Sequence, residues 1–420
     1  MRHPRQKSIG STTSSFSLDG RAGTAAAVVA SLVSVGVLVT ILVRSELIDL
    51  LVYRMGARVL LDGEDIYGQM PPVTDDFTLP FTYPPLSAML FTPLAVIPVV
   101  LGKIVFTLVS VAALVVTLRV VLDRIRPDLD RRTSWIITMI ALAGALLLEP
   151  VRETVSFGQI NLVLMALVAV DVLSKNPRWP RGLLIGLAAA VKLTPIAFLL
   201  LFLLRRDRRT SITIIASTLG FTALAFLVLP GASAKYWLQT LADTGRIGAS
   251  YFATNQAFEA VISRFGTPET VGSVLWMIAV AVMLSVAVVA IRRALERGDL
   301  VLALLANATA VLLASPVSWS HHWVWIAPAL LTVTLAALST PASRKFAAIT
   351  AGIALIFLIG PHHLLPSGDD LELAWAPWQH LLGALYVAVG SGFLLWVAFA
   401  RRTSPESLSP APLSNLRTPG

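Results

Sequence analysis

The sequence predicts an all-α integral membrane protein, a multi-span helical bundle with about twelve transmembrane elements. Of its 420 residues, 56% are hydrophobic and only 14% are charged, with a mean hydropathy of +0.77. Apolar runs of about 20 residues, the length that crosses a bilayer as a helix, recur along the chain. This composition excludes a soluble globular fold. The lack of cysteine excludes disulfides and thiolate metal sites.

Short basic clusters separate the apolar runs and predict how the chain is oriented. The net charge is +9, but the positive residues do not form the continuous patch of a nucleic-acid-binding protein. Clusters of this kind are typical of cytoplasmic loops. We therefore expect a cytoplasmic tail at 1–23, a polytopic membrane domain at 24–400 and a cytoplasmic tail at 401–420. The clusters lie at 124–132, 175–181, 205–209, 292–297, 344–345 and 401–402.

The first span is predicted at Thr24–Val43, a run too long for the core of a signal peptide. Two later segments do not fit as simple spans. Pro85–Pro98 is short enough to be a re-entrant or interfacial helix. Gly182–Leu204 has positive residues at both ends, so we predict two half-helices with Lys192 at their tip, at mid-depth. The simple spans are predicted near 102–121, 134–149, 160–174, 210–229, 271–291, 299–314, 323–339, 345–360 and 382–400.

The outer loops hold most of the unusual polar and aromatic residues. They are predicted at 45–84, 150–159, 230–269, 315–322 and 361–381. Asp49 follows the first span, and helical spacing places Tyr53 on the same face. A carboxylate just outside the membrane can act as a general base on a hydroxyl group. The alternative is a solvated interfacial acid.

Several other outer residues have two interpretations each. Tyr83, before two prolines, either begins a rigid helix or lines a pocket. Residues 149–161 supply side chains that suit either helix caps or sugar binding: Glu149, Arg152, Gln159 and Asn161. Asn255 and Gln256, with Arg264 beyond them, belong either to a solvated loop or to a substrate pocket.

Lys192 and the adjacent His321 and His322 are the candidates for binding phosphate. A lone lysine in an apolar segment costs several kcal/mol unless it is paired or solvated. A lipid phosphate would be a suitable partner, and a structural ion pair is the alternative. An imidazole that donates to phosphate is favoured over zinc, since no third ligand stands nearby in the sequence. Trp319 and Trp323 fit either an interfacial belt or stacking on a sugar.

Six motifs occur in order along residues 49–325 and together indicate a family. They are "DLLVY" at 49–53, "LPFTYPP" at 79–85, "GQINLVL" at 158–164, "GLLIGLAAAVKLTP" at 182–195, "RIGASYFATNQ" at 246–256 and "SPVSWSHHWVW" at 315–325. This set resembles glycosyltransferase family 87, the polyprenyl-phosphate-sugar-dependent membrane glycosyltransferases of mycobacteria and their relatives.

The resemblance implies a GT-C fold in the plasma membrane, with its active site on the periplasmic face. It implies Asp49 as the catalytic base, and Lys192 with His321 and His322 at the phosphate of a polyprenyl-phosphate-mannose donor. The implied acceptor is a glycolipid, a phosphatidylinositol mannoside or related lipoglycan. The resemblance implies that the mannose is attached to it by an α-1,2 link, with inversion at the anomeric carbon. Membrane lipids are the other implied partners. No cofactor, metal or nucleic acid is implied. The sequence departs from the expected pattern at 254–260, where "TNQAFEA" replaces "FNQSWRG".

Two rival functions remain open at this point. One keeps the fold and changes the sugar, as in a decaprenyl-phosphate-arabinose-dependent arabinofuranosyltransferase. The other is a transporter or flippase of lipid-linked sugars, because transporters also use broken helices and a charge near the midplane. No glycine-rich nucleotide-binding loop is present in the sequence, which favours a lipid-borne donor for a glycosyltransferase.

Overall fold

A computed structural model describes residues 20–73, 78–339 and 344–400, and within these ranges the chain is helical and contains no β-strand. Most of the predicted tail at 1–23 and all of the predicted tail at 401–420 lie outside the described residues. The α-helices are α1 (Arg21–Arg44), α2 (Ile48–Leu61), α3 (Pro85–Val96), α4 (Val99–Ile125), α5 (Arg131–Leu147), α6 (Glu149–Phe157), α7 (Asn161–Leu173), α8 (Leu183–Val191), α9 (Leu199–Leu204), α10 (Arg208–Val228), α11 (Pro230–Leu238), α12 (Phe258–Ser263), α13 (Glu269–Glu296), α14 (Leu300–Ala314), α15 (Ile326–Ser339), α16 (Arg344–Ile359), α17 (Pro377–Gly383) and α18 (Leu385–Phe399). The predicted all-α class is confirmed.

Five described helices are long and apolar enough to cross a membrane. They are α1, α4, α10, α13 and the helix at 320–338, which joins a 3-10 turn to α15. Two bent pairs raise the number to seven if each pair is one span: α5 with α6 at 76°, and α17 with α18 at 59°. A multi-span membrane protein is therefore confirmed, while the figure of about twelve elements stays a prediction.

The segment 182–204 is broken at the lysine. Helix α8 ends at Val191, Lys192 is extended with φ −146° and ψ 125°, and a 3-10 helix at Thr194–Phe198 leads into α9. Ser87 Oγ of α3 donates to the Val191 carbonyl at 2.6 Å, which partners a carbonyl that the helix end leaves free. The break thus presents Lys192 on non-helical backbone.

Helix α8 packs closely on α10 at Gly186. A Cβ atom at this position would lie 2.8 Å from the backbone nitrogen of Thr218, a distance that real Cβ atoms avoid. Small residues allow this approach between membrane helices. The contact holds the half-helix that ends at Lys192.

We expect Gly186→Ala to lower the melting temperature of the purified protein. The added methyl must separate α8 from α10, and overpacking of this kind costs about 1–3 kcal/mol. The measurement is thermal unfolding in detergent, monitored as the loss of the monodisperse peak in size-exclusion chromatography. Gly220→Ala on α10 is the matched control, since nothing lies within 4 Å of its Cβ position. Equal melting temperatures for the two variants would contradict the prediction.

Helix ends that carry basic residues are joined in two pairs. Arg132 in the first turn of α5 donates to Thr24 Oγ1 at the start of α1, at 2.8 Å. Arg297 after α13 donates to the Ala400 carbonyl after α18, at 3.4 Å. The predicted outer segments adjoin the other ends of these helices, and most of them contribute to the site described next.

Candidate active site

One cavity of about 300 Å³ lies among the predicted outer segments. Its wall is made by residues that are far apart in the sequence, from the start of α2 to the loop before α15. It brings together many of the residues that the sequence singled out: Asp49, Tyr83, Gln159, Lys192, Trp319, His321 and His322.

Asp49 forms the acidic part of the cavity wall. It lies in the first turn of α2, where the helix dipole favours a negative charge. Gln159 Nε2 donates to its Oδ2 at 3.0 Å. Burial raises the pKa of Asp49 to about 6, although the nearby Lys192 charge and the Gln159 hydrogen bond lower it in part. A carboxylate with a pKa this close to neutrality suits general-base catalysis.

If Asp49 accepts a proton in the reaction, the rate should rise with pH through about 6. Its pKa is raised, so below that pH the carboxyl is protonated and cannot act as a base. We expect kcat/KM to increase from about pH 5 and to level off above about pH 7. Gln159→Leu removes a donor that favours the ionised form and should move the midpoint upward. A profile that is flat across this range would contradict the assignment.

A buried tyrosine pair orients Gln159. The hydroxyls of Tyr53 and Tyr83 both donate to Gln159 Oε1, from Tyr83 at 2.6 Å, and lie 2.9 Å from each other. Because the amide oxygen is occupied by two donors, the amide nitrogen points to Asp49. Tyr53 is fully buried and stacks on Phe91, so it supports the cavity wall from behind.

Lys192 faces Asp49 across the cavity without a salt bridge to any carboxylate of the described residues. Its Nζ lies 3.1 Å from Asn161 Oδ1 and 3.4 Å from His322 Nε2. It also lies 5.5 Å from the centre of the Tyr83 ring, in cation–π contact. The positive charge is therefore held by neutral groups and remains available to an anion.

His321 and His322 lie on a 3-10 helix at Ser320–Trp325. Thr154 Oγ1 and Asn161 Nδ2 donate to the His321 carbonyl at 2.6 and 2.9 Å, which fixes the backbone of this turn. The two rings are perpendicular with centres 4.8 Å apart, and both line the cavity. His322 is the ring that contacts Lys192, whereas His321 packs edge-on against Phe157.

A smaller apolar cavity of about 70 Å³ adjoins Lys192 and His322. It runs between α7 and α14, and Asn161 lies at its polar end. Its apolar lining includes Leu164, Met165, Val168, Phe198, Val311, Leu312 and Trp325. The phosphate-binding candidates thus lie where a polar cavity meets an apolar one.

Comparison with known proteins agrees with this arrangement. Residues 81–316 match Glycosyltransferase family 87. A Mycobacterium tuberculosis relative is 36% identical over 88% of this chain and 90% of its own length. The chain belongs to glycosyltransferase family 87. The family resemblance drawn from the motifs is thereby confirmed.

The family 87 relatives carry informative names. The M. tuberculosis protein and one from Mycolicibacterium smegmatis, 39% identical over 84% of this chain and 82% of its own, are both named polyprenol-phosphate-mannose-dependent α-(1-2)-phosphatidylinositol mannoside mannosyltransferase. A Corynebacterium glutamicum protein named α-(1→3)-arabinofuranosyltransferase is 28% identical over 56% of this chain and 54% of its own. No solved structure matches this family 87 chain significantly.

Some residues expected in the pocket lie elsewhere in this family 87 structure. Asn255 and Gln256 are fully buried, and their side chains hydrogen-bond to backbone groups. Asn255 Oδ1 accepts from the Ser318 backbone at 2.9 Å, and Gln256 Nε2 donates to the Gly383 carbonyl at 2.9 Å. Arg264 is also buried, and its guanidinium donates to backbone carbonyls between Tyr251 and Asn255. These side chains hold the loop at 251–256 against the segment that carries Trp319, and they do not line the cavity.

Three further expectations also differ from the structure. Trp323 is buried against Phe357 and Tyr386, so it belongs to the packed core rather than to a membrane belt or a stacking platform. Arg152 donates to the Leu147 carbonyl at 3.2 Å, outside the cavity. Glu149 is fully buried in a separate cluster.

Residues 236–246 contribute cavity residues that sequence reasoning missed. Tyr236, Thr240, Asp243 and Arg246 all line the wall. Arg246 Nη1 donates to the Tyr67 carbonyl at 3.1 Å, while its buried Nε has no hydrogen-bond partner. Arg246 begins the motif at 246–256, but one arginine in a polar outer loop is too common to be distinguished by sequence.

Proposed function

We propose that this family 87 enzyme is an inverting mannosyltransferase. It moves mannose from polyprenyl-phosphate-mannose onto a hydroxyl of a phosphatidylinositol mannoside or related lipoglycan, forming an α-1,2 link. The observation that carries the proposal is one cavity with the Asp49 carboxylate on one wall and the Lys192–His322 pair on another. The names of relatives that cover most of the chain support mannose as the sugar.

The proposed reaction is a single displacement at the anomeric carbon. The acceptor hydroxyl forms a bond to C1 of the mannose and passes its proton to Asp49. The bond between C1 and the phosphate oxygen breaks, and the polyprenyl phosphate leaves with the electron pair. Lys192 and His322 donate to the phosphate as its charge develops. One inversion converts a β-linked mannosyl phosphate into an α product.

The two cavities separate the parts of the donor. The apolar cavity beside Lys192 and His322 suits the first carbons of a polyprenyl chain, whose burial is favourable by about 0.8 kcal/mol per CH₂ group. The mannose then extends into the larger cavity, toward Asp49. A donor that crosses from apolar to polar surroundings at its phosphate matches this layout.

The acceptor enters from the side lined by residues 236–246. Arg246 has a buried Nε without a partner, and Asp243 and Tyr236 provide further polar groups. Sugar hydroxyls and the phosphodiester of an inositol lipid both match these groups. This segment, rather than Asn255 and Gln256, is the proposed source of acceptor selectivity.

The membrane arrangement is part of the proposal. We propose a GT-C fold with about twelve membrane elements, both termini in the cytoplasm, and the cavity facing the periplasm. The basic contacts from Arg132 and Arg297, at helix ends opposite the cavity, support this orientation under the positive-inside rule.

We expect a single cysteine at exposed Ser367 to react with an impermeant thiol reagent in intact cells. Exposed Lys175, on the predicted cytoplasmic loop, is the control position. Lys175→Cys should react only after permeabilisation, and the native chain has no cysteine to interfere. The reverse labelling pattern would contradict the proposed orientation.

The function is tested with the purified protein in lipid nanodiscs. Radiolabelled polyprenyl-phosphate mannose and decaprenyl-phosphate arabinose are supplied separately, together with a phosphatidylinositol mannoside acceptor. Transfer of mannose into a product that an α-1,2-specific mannosidase cleaves is the expected result. Transfer of arabinose instead of mannose would contradict the proposal and indicate an arabinofuranosyltransferase, as the Corynebacterium relative is named. Movement of the lipid donor across the bilayer without a product would indicate a flippase.

A further inference from the structure

Outside the cavity, Glu149 is the centre of a second polar cluster. It is fully buried, and its Oε1 accepts from Ser320 Oγ at 2.6 Å. His363 Nε2 lies 2.8 Å and His362 Nε2 3.5 Å from the same oxygen. Tyr386 OH donates to Oε2 at 2.7 Å. None of these contacts serves the proposed transfer reaction directly.

We propose that Glu149, His362 and His363 form a binding site for a divalent transition-metal ion such as Zn²⁺. One ligand atom from each residue lies within 4.8 Å of the others. Two imidazoles and one carboxylate form a ligand set that zinc accepts, with a fourth position left for water. The site is independent of the proposed donor and acceptor.

The observed spacing is close to that of a metal site. Bonds of about 2.0–2.1 Å in tetrahedral geometry place ligand atoms about 3.3 Å apart. The distances of 2.8 and 3.5 Å from Glu149 Oε1 to the two histidines lie on either side of this value. The separation of the ligand atoms, up to 4.8 Å, has to shrink, and the His363 side chain is 38% exposed, so it has room on its solvent side to adjust.

A buried nitrogen without a hydrogen bond supports a ligand at this place. His362 is 1% exposed, and its Nε2 makes no hydrogen bond although it is directed toward the carboxylate. A buried polar atom without a partner costs about 1–3 kcal/mol. A bound cation would accept this lone pair and remove the cost.

The surroundings are shaped for close approach to Glu149. Gly360 has a positive φ of 64°, and a Cβ there would lie 2.8 Å from Glu149 Cγ and 3.0 Å from His363 Cδ2. Ser320 and Tyr386 hold the carboxylate as outer partners, which metal-ligating carboxylates commonly have. The exposed side of His363 provides an entry path for the ion.

The sequence did not indicate this site because its ligands are far apart along the chain. His363 lies 214 residues after Glu149. The bound ion would join the start of α6, the turn at 361–364 and, through Ser320, the 3-10 helix that carries His321 and His322. Its expected effect is to stabilise that helix.

The test measures zinc in the full-length protein, purified with a tag that contains no histidine. After treatment with a chelator and dialysis against Zn²⁺, we expect about one bound zinc per chain by mass spectrometry. His362→Ala and His363→Ala should lose it. Tyr386→Phe should weaken zinc binding by about 10–100-fold, because the carboxylate loses an outer partner.

His380→Ala is the matched control, since His380 stacks on Phe265 outside the cluster. It should bind zinc like the parent protein, and zinc should raise the melting temperature of both. His363 is partly exposed, so His363→Ala is expected to fold and to show no such rise. The proposal is overturned if the parent protein and His363→Ala retain the same amount of zinc. It is also overturned if zinc raises the melting temperature of neither the parent protein nor His380→Ala.

Discussion

Asp49→Asn should lower mannosyl transfer by about 10²–10⁴-fold, the usual range for loss of a general base. Asparagine keeps the shape of the side chain and can still hydrogen-bond to Gln159, so we expect unchanged expression and folding. It cannot accept the proton of the acceptor hydroxyl. The measurement is turnover at saturating donor and acceptor, with donor binding measured separately.

Asp62→Asn is the matched control for this prediction. Asp62 caps the other end of α2 and is exposed, so the same chemical change there should leave turnover near that of the parent. The Asp49 variant should also lose the rise of rate with pH. Turnover close to the parent value in Asp49→Asn would remove Asp49 from the mechanism.

Lys192→Ala and His322→Ala should each reduce kcat by about 10²–10³-fold, as expected for loss of a donor that stabilises charge in the transition state. Charge on the phosphate grows during departure, so the barrier should rise more than binding weakens. Donor use should suffer, while the acceptor KM should stay nearly unchanged. Steady-state kinetics with each substrate varied in turn measures the difference.

His321→Ala distinguishes the two rings. Its backbone carbonyl is held by Thr154 and Asn161, so the substitution should leave the turn in place. We expect a smaller loss than for His322→Ala, because His321 packs against Phe157 rather than against Lys192. A larger loss for His321→Ala would reverse the assignment. If neither variant lost activity, the donor phosphate would have to bind away from these two histidines.

Features that depend on hydrophobicity and local sequence could be predicted. The break at 182–204 followed from charges at both ends and a lone lysine, and the structure places a non-helical residue there. The basic clusters predict five loops at one end of the bundle, and residues from four of these loops line the cavity. Lys192 stands out because a charged group is costly within an apolar segment, and Asp49 because a carboxylate just outside the first span can act as a base. The adjacent His321 and His322 stand out as donors to phosphate.

Features that depend on contacts between distant segments could not be predicted. Nothing local shows that Tyr53 and Tyr83 converge on Gln159, or that Asn255 turns inward to its own loop. The sequence suggests that Trp323 belongs to an interfacial belt or stacks on a sugar, whereas in the structure it packs against Tyr386 in the core. Polar residues in outer loops have the same composition whether they bind a substrate or hold the loop together.

The contact between Lys192 and His322 also sets an order of events during synthesis. His322 follows Lys192 by 130 residues. At about 5–20 residues per second, the histidine emerges about 6–26 s after the lysine. Asn161 precedes Lys192 by 31 residues and is already present to accept a hydrogen bond from it. Asn161 is therefore in place before His322 is made, and the Lys192–His322 contact is completed only when the last third of the chain arrives.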